Sequence, residues 1–252
     1  IFTDEGGLNG NYFNNSNRTQ TFRSPNGERL RFVFNSFQTE GNNFDRLEIY
    51  DGPTTAWPIL TTLSGFQAPG LAVTSTGNHL TFRFISNSSS TFAGWNANIQ
   101  CAGPALPIYD MSAGTVNTCE GVFYDHAGGG APYLVNENRV QTFCSNNGQH
   151  IVFNFTNFSL GSGDTLWAFD GNSVNSRLIG IYISNSNVER LTASGNCITF
   201  RFKSDLQNNA EGWKALISCS PEPPEQVVYS MSTGVRVACS GIFADQGGLN
   251  GN

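Results

Sequence analysis

The sequence predicts an all-β fold made of antiparallel β-sandwiches arranged in tandem. Short runs in which apolar and polar residues alternate are typical of half-buried strands, and they recur along the chain of 252 residues. Turn-forming sequences such as Asp51-Gly52 and Asp170-Gly171 separate these runs. Similar segments recur about 120 residues apart, which indicates a repeated domain. No run of residues has a convincing helical pattern.

The repeat is clearest at the two ends of the chain. Residues 1–11 read IFTDEGGLNGN and residues 242–252 read IFADQGGLNGN. A third version lies in the middle, and Asp4, Asp125 and Asp245 mark the same position in each copy. A period near 120 residues is long enough for a domain with its own core. We therefore expect two nearly complete domains and the start of a third.

The predicted strands alternate between a core face and a solvent face. β-Branched and aromatic residues at every second position mark the core face. The positions that should face the core are Leu30, Phe32, Phe34, Leu80, Phe82, Phe84, Ile151, Phe153, Phe155, Ile198, Phe200 and Phe202. Trp95 and Trp213, at matched positions before the last strand, are also expected in the core. Trp57 has no counterpart in the second repeat and is expected to be an exposed contact.

Proline-rich segments divide the predicted domains. Residues 102–107 read AGPALP and residues 220–225 read SPEPPE, which predicts stiff, semi-extended linkers. The predicted units are a first repeat (1–101), a linker (102–108), a second repeat (109–219), a linker (220–228) and the start of a third repeat (229–252). The first repeat lacks the opening strand of the second, which we expect before Ile1. Residues 229–252 carry a spare copy of that strand.

Composition limits the classes of function. Charged residues make up 13% of the chain and the formal net charge is −6, with a pI near 5.0. Binding to nucleic acid needs clustered Lys and Arg, so this class is excluded. No apolar run is long enough for a membrane-spanning helix. A polar but weakly charged surface over an aromatic core is typical of an extracellular or cell-surface β protein.

The cysteines indicate a disulfide framework in the second repeat. Its four cysteines, Cys119, Cys144, Cys197 and Cys219, allow three pairings. Nearness in sequence favours Cys119–Cys144 and Cys197–Cys219, each closing a loop of roughly 20–25 residues that contributes about 3 kcal/mol. Two disulfides in one small domain point to an oxidising compartment.

The first repeat carries fewer cysteines than the second. Arg23 and His79 occupy the places of Cys144 and Cys197. Because His79 stands where the pairing above places a partner for Cys101, we expect Cys101 to be a free thiol. Cys239, the first cysteine of the third repeat, is expected to be free as well.

The order of motifs resembles the CUB domain. The motifs, in chain order, are Phe2-X-Asp4-X-Gly6-Gly7, YFNN at 12–15, QTF at 20–22, the strand at 30–37, DRLEIYDG at 45–52, LTFRF at 80–84 and GWNANIQC at 94–101. The second repeat shows the same series from Tyr133 to Cys219. The resemblance implies a jelly-roll-like sandwich that binds ligands and does not catalyse. Tyr-X-Met-Ser before the first cysteine resembles the CUB-type repeats of giant bacterial adhesins, including gliding-motility adhesins exported by the type IX pathway.

The resemblance also implies a calcium ion at one edge of each repeat. The family's ligands are a Glu and two Asp residues, and a Tyr near the N-terminus orients the Glu. Tyr12, Glu40 and Asp45 match this set in the first repeat, where Asn87 replaces the last acid; Tyr133, Asp164 and Asp205 match it in the second, where Gly161 replaces the Glu. Ca²⁺ prefers six to eight oxygen ligands. The alternative is that these acids only order loops or begin strands.

These observations predict a non-catalytic stalk and adhesive surface in a long secreted or cell-surface protein. The partner would be a glycan or a protein bound by loops at the ends of the sandwiches. One alternative is an accessory carbohydrate- or protein-binding module of a secreted hydrolase. Another is a filament subunit, in which the tail of one copy donates a strand to the next in a head-to-tail manner. No histidine lies in a catalytic setting, so an enzyme is not expected.

Overall fold

The computed structural model describes residues 1–224, 228–230 and 242–244. Its strands are β1 (Phe2–Thr3), β2 (Asn17–Arg23), β3 (Glu28–Gln38), β4 (Arg46–Tyr50), β5 (Ile59–Ser64), β6 (Phe66–Gln67), β7 (Ala72–Thr74), β8 (His79–Ile85), β9 (Gly94–Pro104), β10 (Ile108–Tyr109), β11 (Gly114–Asn117), β12 (Gly121–Tyr124), β13 (Asn138–Cys144), β14 (His150–Ser159), β15 (Thr165–Asp170), β16 (Arg177–Tyr182), β17 (Arg190–Thr192), β18 (Cys197–Lys203), β19 (Gly212–Ser220), β20 (Val228–Ser230) and β21 (Ile242–Ala244). Within these ranges the sole helical segment is a 3₁₀ turn, Gly128–Gly130. None of the described segments is a helix long and apolar enough to cross a membrane.

The strands form two β-sandwiches, which confirms the predicted fold class. In the first sandwich, one sheet has the order β1-β9-β3-β6, with β7 also paired to β3, and the other has the order β2-β8-β4-β5. In the second sandwich the orders are β10-β12-β19-β14-β17 and β11-β13-β18-β15-β16. The pairs β10–β12, β11–β13 and β20–β21 are parallel and the others are antiparallel.

Aromatic side chains from both sheets fill each core. Phe32 packs against Phe82 across the first sandwich, with ring centroids 4.6 Å apart, and Phe153 meets Phe200 at 4.9 Å in the second. Every core-facing position predicted from strand alternation is buried. Trp95 and Trp213 are 4% and 1% exposed, which confirms that they belong to the cores.

The two sandwiches differ at their opening strands. In the second, β10 extends one sheet through β12 and β11 extends the other through β13, while Met111 is fully buried. In the described part of the first sandwich no strand takes this place, so β1 and β2 are edge strands. β20 pairs with β21 in the register Tyr229↔Phe243, which matches the register Tyr109↔Phe123 of β10 and β12 in the second sandwich.

The second sandwich contains two disulfides, as predicted, but the predicted pairing is wrong. The bonds are Cys119–Cys219 and Cys144–Cys197. Cys144 lies directly opposite Cys197 on the antiparallel strands β13 and β18. Cys119 lies just before β12, whose pairing with β19 brings the chain beside Cys219. Strand pairing joins residues 53 and 100 positions apart, so nearness in sequence was a poor guide.

The observed pairing also changes the interpretation of the first sandwich. Arg23 and His79 face each other on β2 and β8, in the place of the Cys144–Cys197 bond. The pKa of His79 is lowered by burial and by the charge of Arg23. Cys101 is an exposed free thiol among the described residues. Its counterpart in the second sandwich, Cys219, is bonded to Cys119 and not to Cys197. The replacement by His79 is therefore not the reason that Cys101 is free. Cys239 lies outside the described residues.

Candidate functional site

A buried tyrosine–aspartate pair braces the loops at one edge of the first sandwich. The Tyr12 hydroxyl donates a hydrogen bond to Asp45 Oδ2 at 2.6 Å, and the two residues are 1% and 0% exposed. The same hydroxyl accepts a hydrogen bond from the Glu40 backbone N–H at 3.0 Å. Burial and the Asp45 carboxylate raise the pKa of Tyr12, so the phenol remains a donor.

Asn87 joins this group from the loop after β8. Its backbone N–H donates to Asp45 Oδ1 at 2.8 Å, and its side-chain amide donates to Glu40 Oε2 at 2.6 Å. The four residues that the sequence singled out in the first repeat therefore meet at one edge. The loop between β3 and β4, which carries Glu40, turns at Asn42 and Asn43, which both adopt the left-handed conformation that Asn tolerates.

The second sandwich has an equivalent tyrosine–aspartate pair, but the residues around it differ. Tyr133 donates to Asp164, and the Tyr133 hydroxyl accepts from the Gly161 N–H at 2.7 Å. The Asp205 backbone N–H donates to Asp164 Oδ1 at 2.8 Å. The pKa of Tyr133 is raised by burial and by its hydrogen bond to Asp164. Tyr133, Asp164 and Asp205 therefore meet as the sequence suggested.

The replacement of Glu by Gly161 has a steric reason. A Cβ atom at position 161 would lie 1.5 Å from the carbonyl oxygen of Asn208. The backbone of Asn208, which is left-handed with a φ of 55°, thus fills the space that an acidic side chain would need. Gly163 makes room in the same way, since its Cβ would lie 2.3 Å from Asp205 Oδ2. These contacts exclude any larger residue at 161 without a shift of the Asn208 loop.

The first edge fits a calcium ion better than the second. Glu40 and Asp45 supply carboxylate oxygens and Asn87 can supply an amide oxygen, which are ligands that Ca²⁺ accepts. No group of three or more His, Cys, Asp or Glu side chains suited to a metal lies within the described ranges, so amide and carbonyl oxygens would have to complete either site. At the second edge Asp164 and Asp205 supply the acids, and the backbone carbonyl of Asn208 occupies the space that a Glu at position 161 would need.

Trp57 is not the exposed contact that the sequence suggested. It is half-buried between the two sandwiches, where its ring meets Tyr124 edge-on with centroids 6.2 Å apart. Sequence reasoning also missed the Asp51–Lys214 ion pair beside it, which joins residues 163 positions apart. The signal for both was available in the repeat alignment, because Trp57-Pro58 corresponds to Ser176-Arg177 in the second repeat.

Comparisons with known proteins support a single family. The CUB domain model matches residues 6–99 and 114–216. Dog cubilin is 30% identical over 202 residues, covering 75% of this chain and 5% of cubilin; human tolloid-like protein 2 is 27% identical over 208 residues, covering 78% and 20%. The chain thus spans a small part of these relatives. Among solved structures, the CUB1-EGF-CUB2 region of human MASP-1/3 is 15% identical with a TM-score of 0.38, covering 87% of this chain and 98% of that one.

Proposed function

The chain belongs to the CUB domain family, and on this premise we propose that its sandwiches are non-catalytic binding modules of a long extracellular or cell-surface protein. The disulfides Cys119–Cys219 and Cys144–Cys197 support an extracellular location. The observation that carries the proposal is the braced edge at Tyr12 and Asp45, which holds Glu40 and Asn87 in place beside solvent. The units proposed are residues 1–101 and 109–219, with a third beginning near residue 229.

Calcium would complete the edge of the first sandwich. Glu40, Asp45 and Asn87 would hold the ion, which would offset the repulsion of the two carboxylates and order the loops on either side. The Asn87 amide, which now donates to Glu40 Oε2 at 2.6 Å, would turn its oxygen toward the ion. The edge would then present a fixed, ligand-ready surface.

Isothermal titration calorimetry with CaCl₂ tests the metal step. We expect heat of binding for the native chain and a higher melting temperature in millimolar calcium, and we expect both effects to shrink in Glu40→Gln. Glu120→Gln is the control, because Glu120 is an exposed acid away from this edge. Melting without calcium shows whether each variant is folded. No heat and no change in melting temperature for the native chain would refute calcium binding.

The binding role is tested separately with immobilised ligands. The native chain would be passed over arrays of extracellular glycans and matrix proteins in calcium or in a chelator. We expect a set of ligands that binds in calcium and is weakened in Glu40→Gln but not in Glu120→Gln. Equal binding by the native chain in calcium, the native chain in chelator, Glu40→Gln and Glu120→Gln would show that the Glu40 edge is not the contact surface.

The narrower proposal is that the parent protein is a bacterial adhesin whose repeats form a stalk. It rests on the Tyr-X-Met-Ser sequence at 109–112 and 229–232, whereas the relatives above are animal proteins. Surface labelling of cells with antibody against this segment, with and without a working type IX pathway, tests it. Unchanged surface display without that pathway would exclude this subtype.

One observation favours self-association as a second function. The edge strands β1 and β2 border a groove of about 540 Å³ whose apolar lining includes Phe2, Phe22 and Trp95. In the second sandwich the opening segment covers the corresponding region, where Tyr109 packs against Phe143 at 5.9 Å. A strand donated by another copy would pair with these edges. Size-exclusion chromatography should show a concentration-dependent ladder, and a monomer at all concentrations would refute donation.

A further inference from the structure

The two sandwiches meet at a corner of the first one, residues 51–58, which we call the Asp51 corner. The Asp51 carboxylate is fully buried and forms an ion pair with Lys214, whose side chain is 1% exposed. Lys214 lies on β19 of the second sandwich, between the core residues Trp213 and Ala215, so its side chain points away from its own core. Thr76 adds hydrogen bonds to Asp51 from its backbone N–H at 2.9 Å and its hydroxyl at 2.6 Å.

Two aromatic side chains, Trp57 and Tyr124, also lie at this junction. Trp57 lies against Gly129 and Gly130 of the 3₁₀ turn, where an added Cβ would approach its ring to 2.8 and 2.9 Å. The glycines therefore permit a close approach that larger residues would prevent. Tyr124 packs edge-on against Trp57, and its pKa is raised by burial and by the charge of Asp51. The buried ion pair, the Trp57 indole and the Tyr124 ring thus lie together where the two sandwiches meet.

The connecting segment is attached to both sandwiches. β9 continues to Pro104 and β10 begins at Ile108, so only three residues connect the strands. The Leu106 N–H donates to the Thr76 carbonyl at 2.9 Å, and the Pro107 carbonyl accepts from the Val122 N–H at 2.8 Å. A short connection bonded at both ends leaves little freedom for a hinge.

The corresponding corner of the second sandwich is built differently. Asp170 is held by Ser194 as Asp51 is by Thr76, with bonds of 2.8 and 2.6 Å. Its cationic partner, however, is Arg177 of the same corner, at 2.6 Å. Arg177 takes the place of Pro58, and Ser176 takes the place of Trp57. Burial alone would raise the pKa of Asp170, but the bonds from Ser194 and Arg177 outweigh it and lower the pKa. This corner needs no outside cation.

We propose that the Asp51 corner is a docking surface for the following sandwich, which fixes the two as one rigid body, and that the corner at Asp170–Arg177 is closed to this mode of docking. The docking sandwich must supply a lysine, as Lys214 does, and small residues such as Gly129 and Gly130 that leave room for the Trp57 indole. Adjacent domains usually move unless their interface is well packed. Removal of Lys214 would leave the Asp51 charge buried without a partner, which strongly disfavours the docked state.

Residual dipolar couplings on the ¹⁵N-labelled native chain test this proposal. We expect one alignment tensor to fit both sandwiches, and we expect Lys214→Ala to lose the shared tensor while each sandwich keeps a dispersed, folded spectrum. The double change Trp57→Ser/Pro58→Arg gives the first corner the residues of the second, and it should also lose the shared tensor.

Arg177→Ala is the matched control. It removes the ion pair at the corresponding corner of the second sandwich, where the Arg177 side chain is 67% exposed, and should leave the shared tensor intact. The proposal is overturned if the native chain needs two tensors, or if the shared tensor persists in both Lys214→Ala and the corner exchange. Loss of the shared tensor in Arg177→Ala would also overturn it, because the effect would then not be specific to the Asp51 corner.

Discussion

Removal of the Cys144–Cys197 disulfide should strongly destabilise the second sandwich. The bond joins residues 53 positions apart, so in the chain-entropy model it contributes about 4 kcal/mol by restricting the unfolded chain. For a domain of this size, each kcal/mol corresponds to roughly 4–8 °C in melting temperature. The double change Cys144→Ala/Cys197→Ala should therefore lower the melting temperature of the second sandwich by roughly 15–30 °C.

Calorimetry combined with hydrogen exchange measures this effect sandwich by sandwich. The first sandwich carries Arg23 and His79 at the equivalent positions, so it provides an internal control whose exchange should change much less. Peptide mapping without reduction gives an independent check on the pairing. A fall of only a few degrees would refute the stability estimate, and a peptide linking Cys119 to Cys144 would refute the pairing itself.

Three further predictions concern Asp125, Gly94 and Cys101. Burial raises the pKa of Asp125 to about 7, so between about pH 4 and 7 the folded state holds a proton that the unfolded state has lost. The free energy of unfolding should therefore fall by as much as about 4 kcal/mol as pH rises over this range. Urea titrations at several pH values should show that Asp125→Asn removes this dependence on pH. Gly94→Ala should lower the melting temperature far more than Gly195→Ala, because a Cβ at 94 would lie 1.9 Å from Asp4 Oδ2 and φ is +66°, whereas position 195 is open; equal melting temperatures would contradict this. Cys101 should react with a maleimide in the native state at the rate of a small-molecule thiol, as followed by mass spectrometry, and protection until urea is added would show that it is covered.

Strand identity could be predicted from the sequence because it depends on local alternation. Phe32 and Phe153 face the cores as their period-two patterns indicated. The grouping of Tyr12, Glu40 and Asp45 was also accessible, through the order of motifs. The disulfide pairing was not, because it depends on which strands are neighbours in the sheets. Cys119 and Cys219 are 100 positions apart, and only the pairing of β12 with β19 brings them together.

Comparison of the two repeats explains why Asp51 of the first sandwich pairs with Lys214 of the second. The two repeats have an aspartate at the same place, Asp51 and Asp170, and each accepts hydrogen bonds from a Thr or Ser just before the neighbouring strand of its sheet. Both carboxylates are paired with a cation, and the repeats differ in where that cation comes from. Pro58 cannot supply one, so Lys214 of the next sandwich does. In this chain, the corner that keeps its buried acid without a cation of its own is therefore the corner that contacts the other sandwich.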